Sequence, residues 1–521
     1  MGARLSFGTA GIRAPLGDGD DELNSRTVAV VGLAVCEYVG ALDANSRSKG
    51  LCIGFDGRTG SREFAHVLAG VALAEGFVVR MFEDVVPTPL LAFTTQLHGA
   101  ALGLMVTASH NPPADNGIKV YWQGGAQILP PHDAEIARRI GVSGGPSRAP
   151  MDLDAARASG QLYDLGGDEQ RAYLDAVLAL VPTRPEPLPK VGYSALCGVG
   201  TKLTRALAQR TGAMLIEVPS QATPRADFGG LRSPNPEHAE ALVELVRLSS
   251  EIGAELGFCH DPDADRLAVV ARGNEGKLRA LSGDEIGALL ADYLLDQEPE
   301  PGQVAIISTL VSGGLVERIA THFGAHFERT LTGFKWITAG GRRLERERGL
   351  RYLFGYEEAL GYCFGALGDD KDGIAALYVL LQLARKLRAH GIGFEQQLER
   401  LARTHGLFAS RQLTVSAGGA SGMDRTRAIL SDLRQRAPRD WLDAETTRED
   451  YLQREERADL LIFRVGARGR ICVRPSGTEP KLKFYLEASE SVSPDEPLAA
   501  AQARAEATLS WLASCVRGVT A

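Results

Sequence analysis

A unit of apolar strand, glycine-containing turn, amphipathic helix, glycine stop and second strand occurs three times along this 521-residue chain. The copies run from Leu51 to Phe55, Gly57 to Gly76 and Phe77 to Phe82; from Val191 to Leu196, Gly198 to Gly212 and Ala213 to Val218; and from Val304 to Ser308, Ser312 to Gly324 and Ala325 to Leu331. A strand that returns to its sheet through a helix makes a right-handed crossover, so each copy predicts a mixed or parallel sheet flanked by helices. Spaced this widely, the copies read as three related α/β domains, because a solenoid would repeat every ~20 to 50 residues. From about residue 400 the pattern changes. Leu460 to Val465, Arg470 to Val473 and Lys481 to Glu487 alternate like antiparallel strands, while Asp424 to Arg436 and Pro497 to Val516 read as helices. The expectation is three similar mixed-sheet α/β domains plus a distinct C-terminal α+β domain. Gly141 to Pro150, Pro182 to Pro189 and Gln297 to Gly302, rich in Pro or Gly, are candidate linkers.

The chemistry concentrates in short turns. Thr107-Ala108-Ser109-His110-Asn111-Pro112 follows the apolar run Ala100 to Val106 and is closed by Pro113, which puts Ser109 on a turn at the carboxyl end of a strand. Such a serine is either a hydroxyl nucleophile or, once phosphorylated, a stored phosphoryl group. Asp261, Asp263 and Asp265 sit at alternate positions between two apolar runs. Three such carboxylates repel one another unless a cation holds them, and hard oxygens suit Mg²⁺. Arg266 follows directly, as a candidate phosphate contact. Arg474-Pro475-Ser476-Gly477-Thr478-Glu479-Pro480 packs a guanidinium, two hydroxyls and a free backbone N–H into one loop, a donor set that fits a phosphate. Glu357 and Glu358 follow the strand-like Tyr352 to Phe354 and can accept hydrogen bonds from sugar hydroxyls.

A chain of this length exceeds one core and suggests about three to five domains. Its net charge of -8 argues against a general nucleic-acid or membrane-surface binder. Seven scattered cysteines without a C-x-x-C pair, most in apolar runs, read as buried reduced thiols. There is no basic-then-apolar leader, and no apolar run is read as reaching the ~18 residues of a membrane span, so the expected location is cytoplasmic.

These four motifs, with Phe7-Gly8-Thr9-Ala10-Gly11-Ile12-Arg13 in front of them, together resemble the α-D-phosphohexomutase superfamily, in the family's own order and across nearly the whole chain. The resemblance implies four domains around a central cleft, here 1–165, 166–276, 277–397 and 398–521. It implies a phosphoserine at Ser109, which completes a Mg²⁺ site with Asp261, Asp263 and Asp265. Ser476, Gly477, Thr478, Arg474 and, less directly, Lys481 would grip the phosphate that is not transferred, with Arg266 as a further phosphate contact. Glu357 and Glu358 would recognise the sugar, with Lys335 as a further substrate contact. Lys119 would be a general acid or base, and Arg13 and His110 phosphate or acid-base helpers.

The family commonly has a serine where this chain has Ala359, and Glu357-Glu358-Ala359-Leu360-Gly361-Tyr362 is similar to the branch holding phosphopentomutases and bacterial phosphoglucomutases. The implied activity is interconversion of hexose 1- and 6-phosphates, glucose before mannose, through a sugar bisphosphate, in a monomer or homodimer with a small phosphosugar as its partner. Pentose 1- and 5-phosphates are the alternative. A sugar phosphatase would use the same serine and metal to pass phosphate to water.

Overall fold

Runs such as Leu51–Phe55, Leu102–Val106 and Val304–Thr309 are buried at every position, as parallel strands covered on both faces must be. The computed structural model describes residues 5, 7–8, 11–187, 190–416, 422–442, 444–454, 456–475 and 481–520. In it these runs are the centres of three mixed sheets, and one four-strand motif recurs in all three. The first domain orders it Val79–Phe82, Leu51–Phe55, Leu102–Val106, Asp115–Trp122. The second orders it Leu215–Glu217, Val191–Ser194, Leu256–His260, Leu267–Arg272, and the third His326–Thr330, Val304–Thr309, Arg351–Glu357, Gly361–Phe364. Each time the first three strands are parallel and the fourth turns back against the third. The helices Ser61–Ala74, Thr201–Thr211 and Leu315–Phe323 make the crossovers read from the sequence repeat.

The connection between third and fourth strands shortens from 107–114 in the first copy to 358–360 in the third. Each holds a non-glycine residue at positive φ: Ser109 at 52°, Ala264 at 55° and Leu360 at 62°. Side chains pay for that conformation, and it persists only where surrounding contacts over-determine it. The motif thus delivers three strained turns at the carboxyl ends of parallel strands, where open α/β sheets place their ligands.

Leu162–Leu165 pairs with Val79–Phe82 at the far edge of the first sheet, so Gly141 to Pro150, read as a candidate linker, lies inside that domain. The helix Ser25–Leu42 corrects another expectation. Its 18 residues, with a mean hydropathy of 1.4, are long and apolar enough to span a membrane. They are instead mostly buried in protein, packed on Ser61–Ala74 and His132–Val142. Cys36, Cys52, Cys197, Cys259, Cys363 and Cys472 are buried, and Cys515 is half-buried.

The C-terminal sheet is antiparallel throughout, in the order Leu407–Ser416, Lys481–Glu490, Gly469–Pro475, Leu461–Val465, Thr446–Asp450. Alternation sends Leu461, Phe463, Ile471, Val473, Phe484 and Leu486 to one face, against the helices Gly422–Gln435 and Leu498–Thr520. The other face presents Ile462, Cys472 and Tyr485 to Leu310, Val311 and Leu331 of the third domain. Both faces are therefore used, one for the domain's own core and one for docking.

Candidate active site

Ser109 lies at the bottom of the first turn, 1% exposed. Its N–H is held by Thr107 Oγ1 at 2.9 Å, and its Oγ donates to Asp261 Oδ2 of the second domain at 2.7 Å. His110 Nδ1 is 3.2 Å from the same Oγ. Burial, with Arg266 and Arg13 nearby, holds the imidazole well below its usual range, hence neutral at neutral pH.

The turn is held from beneath by a residue that the sequence reading did not single out. Arg58 follows the strand Leu51–Phe55 and its side chain has no solvent exposure. Its guanidinium donates to the carbonyls of Ser109 (2.5 Å), Asn111 (2.7 Å), Pro112 (2.9 Å) and Asp115 (2.9 Å). It pairs with Asp56 at 3.2 Å and lies 4.6 Å from the ring of Phe228, which reaches in from the second domain. The planar fork of arginine suits such a task. The available signal was Asp56-Gly57-Arg58 at a strand's carboxyl end.

Asp261, Asp263 and Asp265 are at most 1% exposed, with ligand atoms all within 4.8 Å of one another. Asp263 Oδ2 accepts from Thr88 Oγ1 at 2.6 Å, and the Thr88 N–H donates to the Asp263 carbonyl at 3.0 Å, so the first and second domains are stitched at the site. Asp263 Oδ1 and Asp265 Oδ1 are buried without a hydrogen-bond partner. Orphaned carboxylate oxygens are costly in an interior, and oxygen donors so placed fit a hard divalent cation.

Lys119 donates to Asp263 Oδ2 at 2.7 Å and Asp265 Oδ2 at 2.5 Å. Burial pulls its pKa down, but the two carboxylates outweigh burial and raise it, so it is an ammonium. Lys371 reaches Asp265 at 3.3 Å and Asp370 at 3.4 Å and lies 5.2 Å from the Phe334 ring. It too escaped the sequence reading. Its signal is the run Asp369-Asp370-Lys371-Asp372 ahead of the helix Gly373–Ala389, where Asp372 caps the Ala375 N–H at 2.8 Å.

The third turn brings Glu357 and Glu358 to the same place, since Arg266 of the second turn forms a β-bridge with Gly361. Burial raises both carboxyls; Lys371 and Arg266 partly offset this for Glu357, and Ser312 and Arg474 for Glu358. Glu358 Oε2 accepts from Ser312 Oγ at 2.9 Å and Thr309 Oγ1 at 3.2 Å. Arg266 pairs with Glu237 at 3.3 Å and Lys335 with Asp133 of the first domain at 3.4 Å, while Arg13 bonds Asn111 Oδ1 at 3.2 Å. Arg474 bonds Thr332 Oγ1 of the third domain, and Lys481 opens the next strand. Ser476, Gly477 and Thr478 lie outside the described residues.

Four consecutive family models cover most of the chain. Phosphoglucomutase/phosphomannomutase alpha/beta/alpha domains I, II and III match residues 4–143, 171–275 and 282–404, and the C-terminal domain matches 447–504. The chain belongs to the phosphoglucomutase/phosphomannomutase family. It is thus an isomerase of the phosphohexomutase group. The chain is 32% identical to a phosphoglucomutase of Staphylococcus epidermidis over 505 residues, covering 94% of this chain and 91% of the relative. It is 31% identical to a phosphopentomutase of Homo sapiens over 522 residues, covering 94% and 85%. Among solved structures it is similar to parafusin, a phosphoglucomutase from Paramecium, in an open form. That match has a TM-score of 0.75 at 17% identity and covers 99% of this chain and 95% of the other; it concerns the fold.

Proposed function

We propose that the protein interconverts hexose 1-phosphate and hexose 6-phosphate, glucose first and mannose second, by way of a phosphoserine at Ser109 and a sugar bisphosphate. The observation that carries this reading is Ser109 Oγ 2.7 Å from Asp261 Oδ2, which joins the serine turn of the first sheet to the aspartate turn of the second. One transferable phosphoryl position and one separate phosphate grip are what a mutase needs.

Transfer breaks the P–Oγ bond of phosphoserine and forms a P–O bond to the free hydroxyl of a sugar monophosphate. The hydroxyl gives up a proton and Oγ takes one up. His110 Nδ1, neutral and 3.2 Å from Oγ, is placed to accept the hydroxyl's proton and pass it to the departing Oγ. Lys119, an ammonium held by Asp263 and Asp265, brings positive charge to the transferring group and would act as a general acid. Arg58 keeps the turn in its strained form, so the attack geometry is set before substrate arrives. The bisphosphate then turns over and its second phosphate returns to Ser109, yielding the isomer. Mg²⁺ held by Asp261, Asp263, Asp265 and a phosphoserine oxygen would neutralise charge on the transferring group. Glu357 and Glu358 would bind sugar hydroxyls, Lys335 and Arg266 would contact substrate, and Arg13 and the Arg474 loop with Lys481 would hold phosphate. The same reading divides the chain at about 165, 276 and 397; the first two fall between matched segments, whereas the third falls inside the segment 282–404 and within the helix Phe394–His405. It also places the protein in the cytoplasm, its apolar helix being buried in protein.

Pentose phosphates are the second reading, favoured by Ala359 and by the phosphopentomutase relative. The test is kcat/KM for glucose 1-phosphate, mannose 1-phosphate and ribose 1-phosphate with Mg²⁺ and a trace of the matching bisphosphate, with free phosphate assayed in the same samples. Glucose is expected to win without phosphate release. Ribose winning would make Ala359 the mark of a pentose site, and release from all three would make the protein a phosphatase.

A further inference from the structure

Ser410, Glu487 and Arg470 form a single row across three adjacent strands of the C-terminal sheet, for Ser410 is in register with Glu487 and Glu487 with Arg470. The row lies on the face that docks onto the third domain, and each member touches the segment Thr309–Gly314 or the helix start beside it. Arg470 donates to the carbonyls of Leu310 at 3.1 Å and Ser312 at 2.5 Å. Glu487 accepts the Gly314 N–H at 2.6 Å and pairs with Arg470 at 3.2 Å. Ser410 donates to Asp284 Oδ2 at 3.2 Å, and Asp284 Oδ1 accepts the Gly313 N–H at 2.7 Å.

The segment gripped in this way is the one that holds Glu358. Ser312 Oγ and Thr309 Oγ1 are 2.7 Å apart, and both donate to Glu358 Oε2. The fit leaves no slack. A Cβ on Gly314 would meet the Phe408 ring at 2.7 Å, and one on Gly283 would meet the Glu358 carbonyl at 2.1 Å. Thr309–Gly314 and the helix start at Gly283 are thus packed against both the C-terminal sheet and the turn of Glu358.

We propose that this row makes Ser312 and Arg470 positioning residues, which transmit the position of the C-terminal domain to Glu358, so that sugar recognition is set only when the domain carrying the Arg474 loop is docked. Arg474 touches the third domain at Thr332 from the same sheet, so gripping the distal phosphate and aiming Glu358 become one event. The coupling is reciprocal: a sugar correctly held at Glu358 tightens the phosphate grip. This deepens the mutase reading and rests on it for its substrate.

Two arms test it on the full-length chain. In hydrogen exchange, Arg470→Lys keeps the charge but gives up the two-carbonyl fork. It is expected to raise exchange at 309–314 and 356–361 by about tenfold, the order of one or two lost charge-assisted bonds, and to leave 107–111 unchanged. Unchanged exchange at 356–361 would overturn the proposal. Ser410→Ala, a milder loss from the same row, is expected to act the same way and stands in should Arg470→Lys fail to fold. In kinetics with glucose 1-phosphate, Ser312→Ala is expected to raise KM about tenfold with kcat within about threefold, and Ser312→Thr, which keeps the hydroxyl, to restore it. Adding Arg470→Lys to Ser312→Ala is expected to cost little more, and multiplied effects would refute a shared route. A wild-type chain inactive on glucose 1-phosphate would sink the mutase reading while the exchange arm still decides the coupling.

Discussion

Replacing Arg58 with lysine should damage turnover far more than substrate affinity. Arg58 satisfies four carbonyls of the turn from Ser109 to Asp115, pairs with Asp56 and stacks on Phe228. A lysine ammonium reaches about two of those carbonyls at once. At roughly 1.5–3 kcal/mol for each bond to a charged donor, and about 1 kcal/mol for the ring contact, the turn loses on the order of 4 kcal/mol. Holding Ser109 at a φ of 52° itself costs about 1–3 kcal/mol, so the loosened turn can relax away from the attack geometry. Drift of about 1 Å is worth roughly 100-fold in rate. In the proposed mutase reading the third and C-terminal domains would hold sugar and distal phosphate, so KM should stay within about threefold. The assay is steady-state mutase kinetics with far-ultraviolet circular dichroism as a check on folding. A folded Arg58→Lys enzyme with kcat within about threefold of wild type would refute the reasoning.

Three further outcomes follow from the same geometry. Phe228→Leu stays apolar but loses the ring beneath Arg58, and kcat should fall by roughly three- to tenfold with the Mg²⁺ titration unchanged. Asp263→Asn removes charge from the acidic triad and should shift the Mg²⁺ concentration for half-maximal activity upward by about tenfold or more; an unmoved titration would deny Asp263 a ligand's role. Asp284 is raised to about 6 from 3.8, chiefly by burial and then by Glu358 and Glu487. Because its folded-state value is the higher one, the folded chain holds the extra proton between those values, and Asp284 costs stability as pH rises through about 6. The urea midpoint of Asp284→Asn relative to wild type should therefore grow from pH 4 to pH 7. A constant difference would mean the carboxyl is not perturbed.

The sequence made the three repeated domains legible because each buried parallel strand is a continuous apolar run, with glycine stops closing its helix. The chemistry of Ser109, Asp261, Asp263, Asp265 and the glutamate pair was legible for a related reason: each group sits in a turn of a few residues, so neighbours in sequence are neighbours in space. Arg58, Phe228 and Lys371 stayed hidden because their partners are far along the chain; Phe228 lies beneath Arg58 only once two domains have met. The edge strands Leu407–Ser416 and Thr446–Asp450 escaped notice because no residue of either is fully buried and Thr446–Asp450 is polar throughout. Ser25–Leu42 shows the opposite error of scale: its apolar run is long enough for a bilayer, and only the helices packed on it reveal what it covers.

The most direct test of the account is whether Ser109 carries the phosphoryl group in transit. The chain would be incubated with Mg²⁺ and phosphorus-labelled glucose 1,6-bisphosphate, its phosphopeptide mapped by mass spectrometry, and the label chased with unlabelled glucose 6-phosphate. One label per chain is expected, on the peptide holding Ser109, absent from Ser109→Ala and leaving in the chase as sugar bisphosphate. Label on another residue, or label leaving as free phosphate at the rate of turnover, would contradict it.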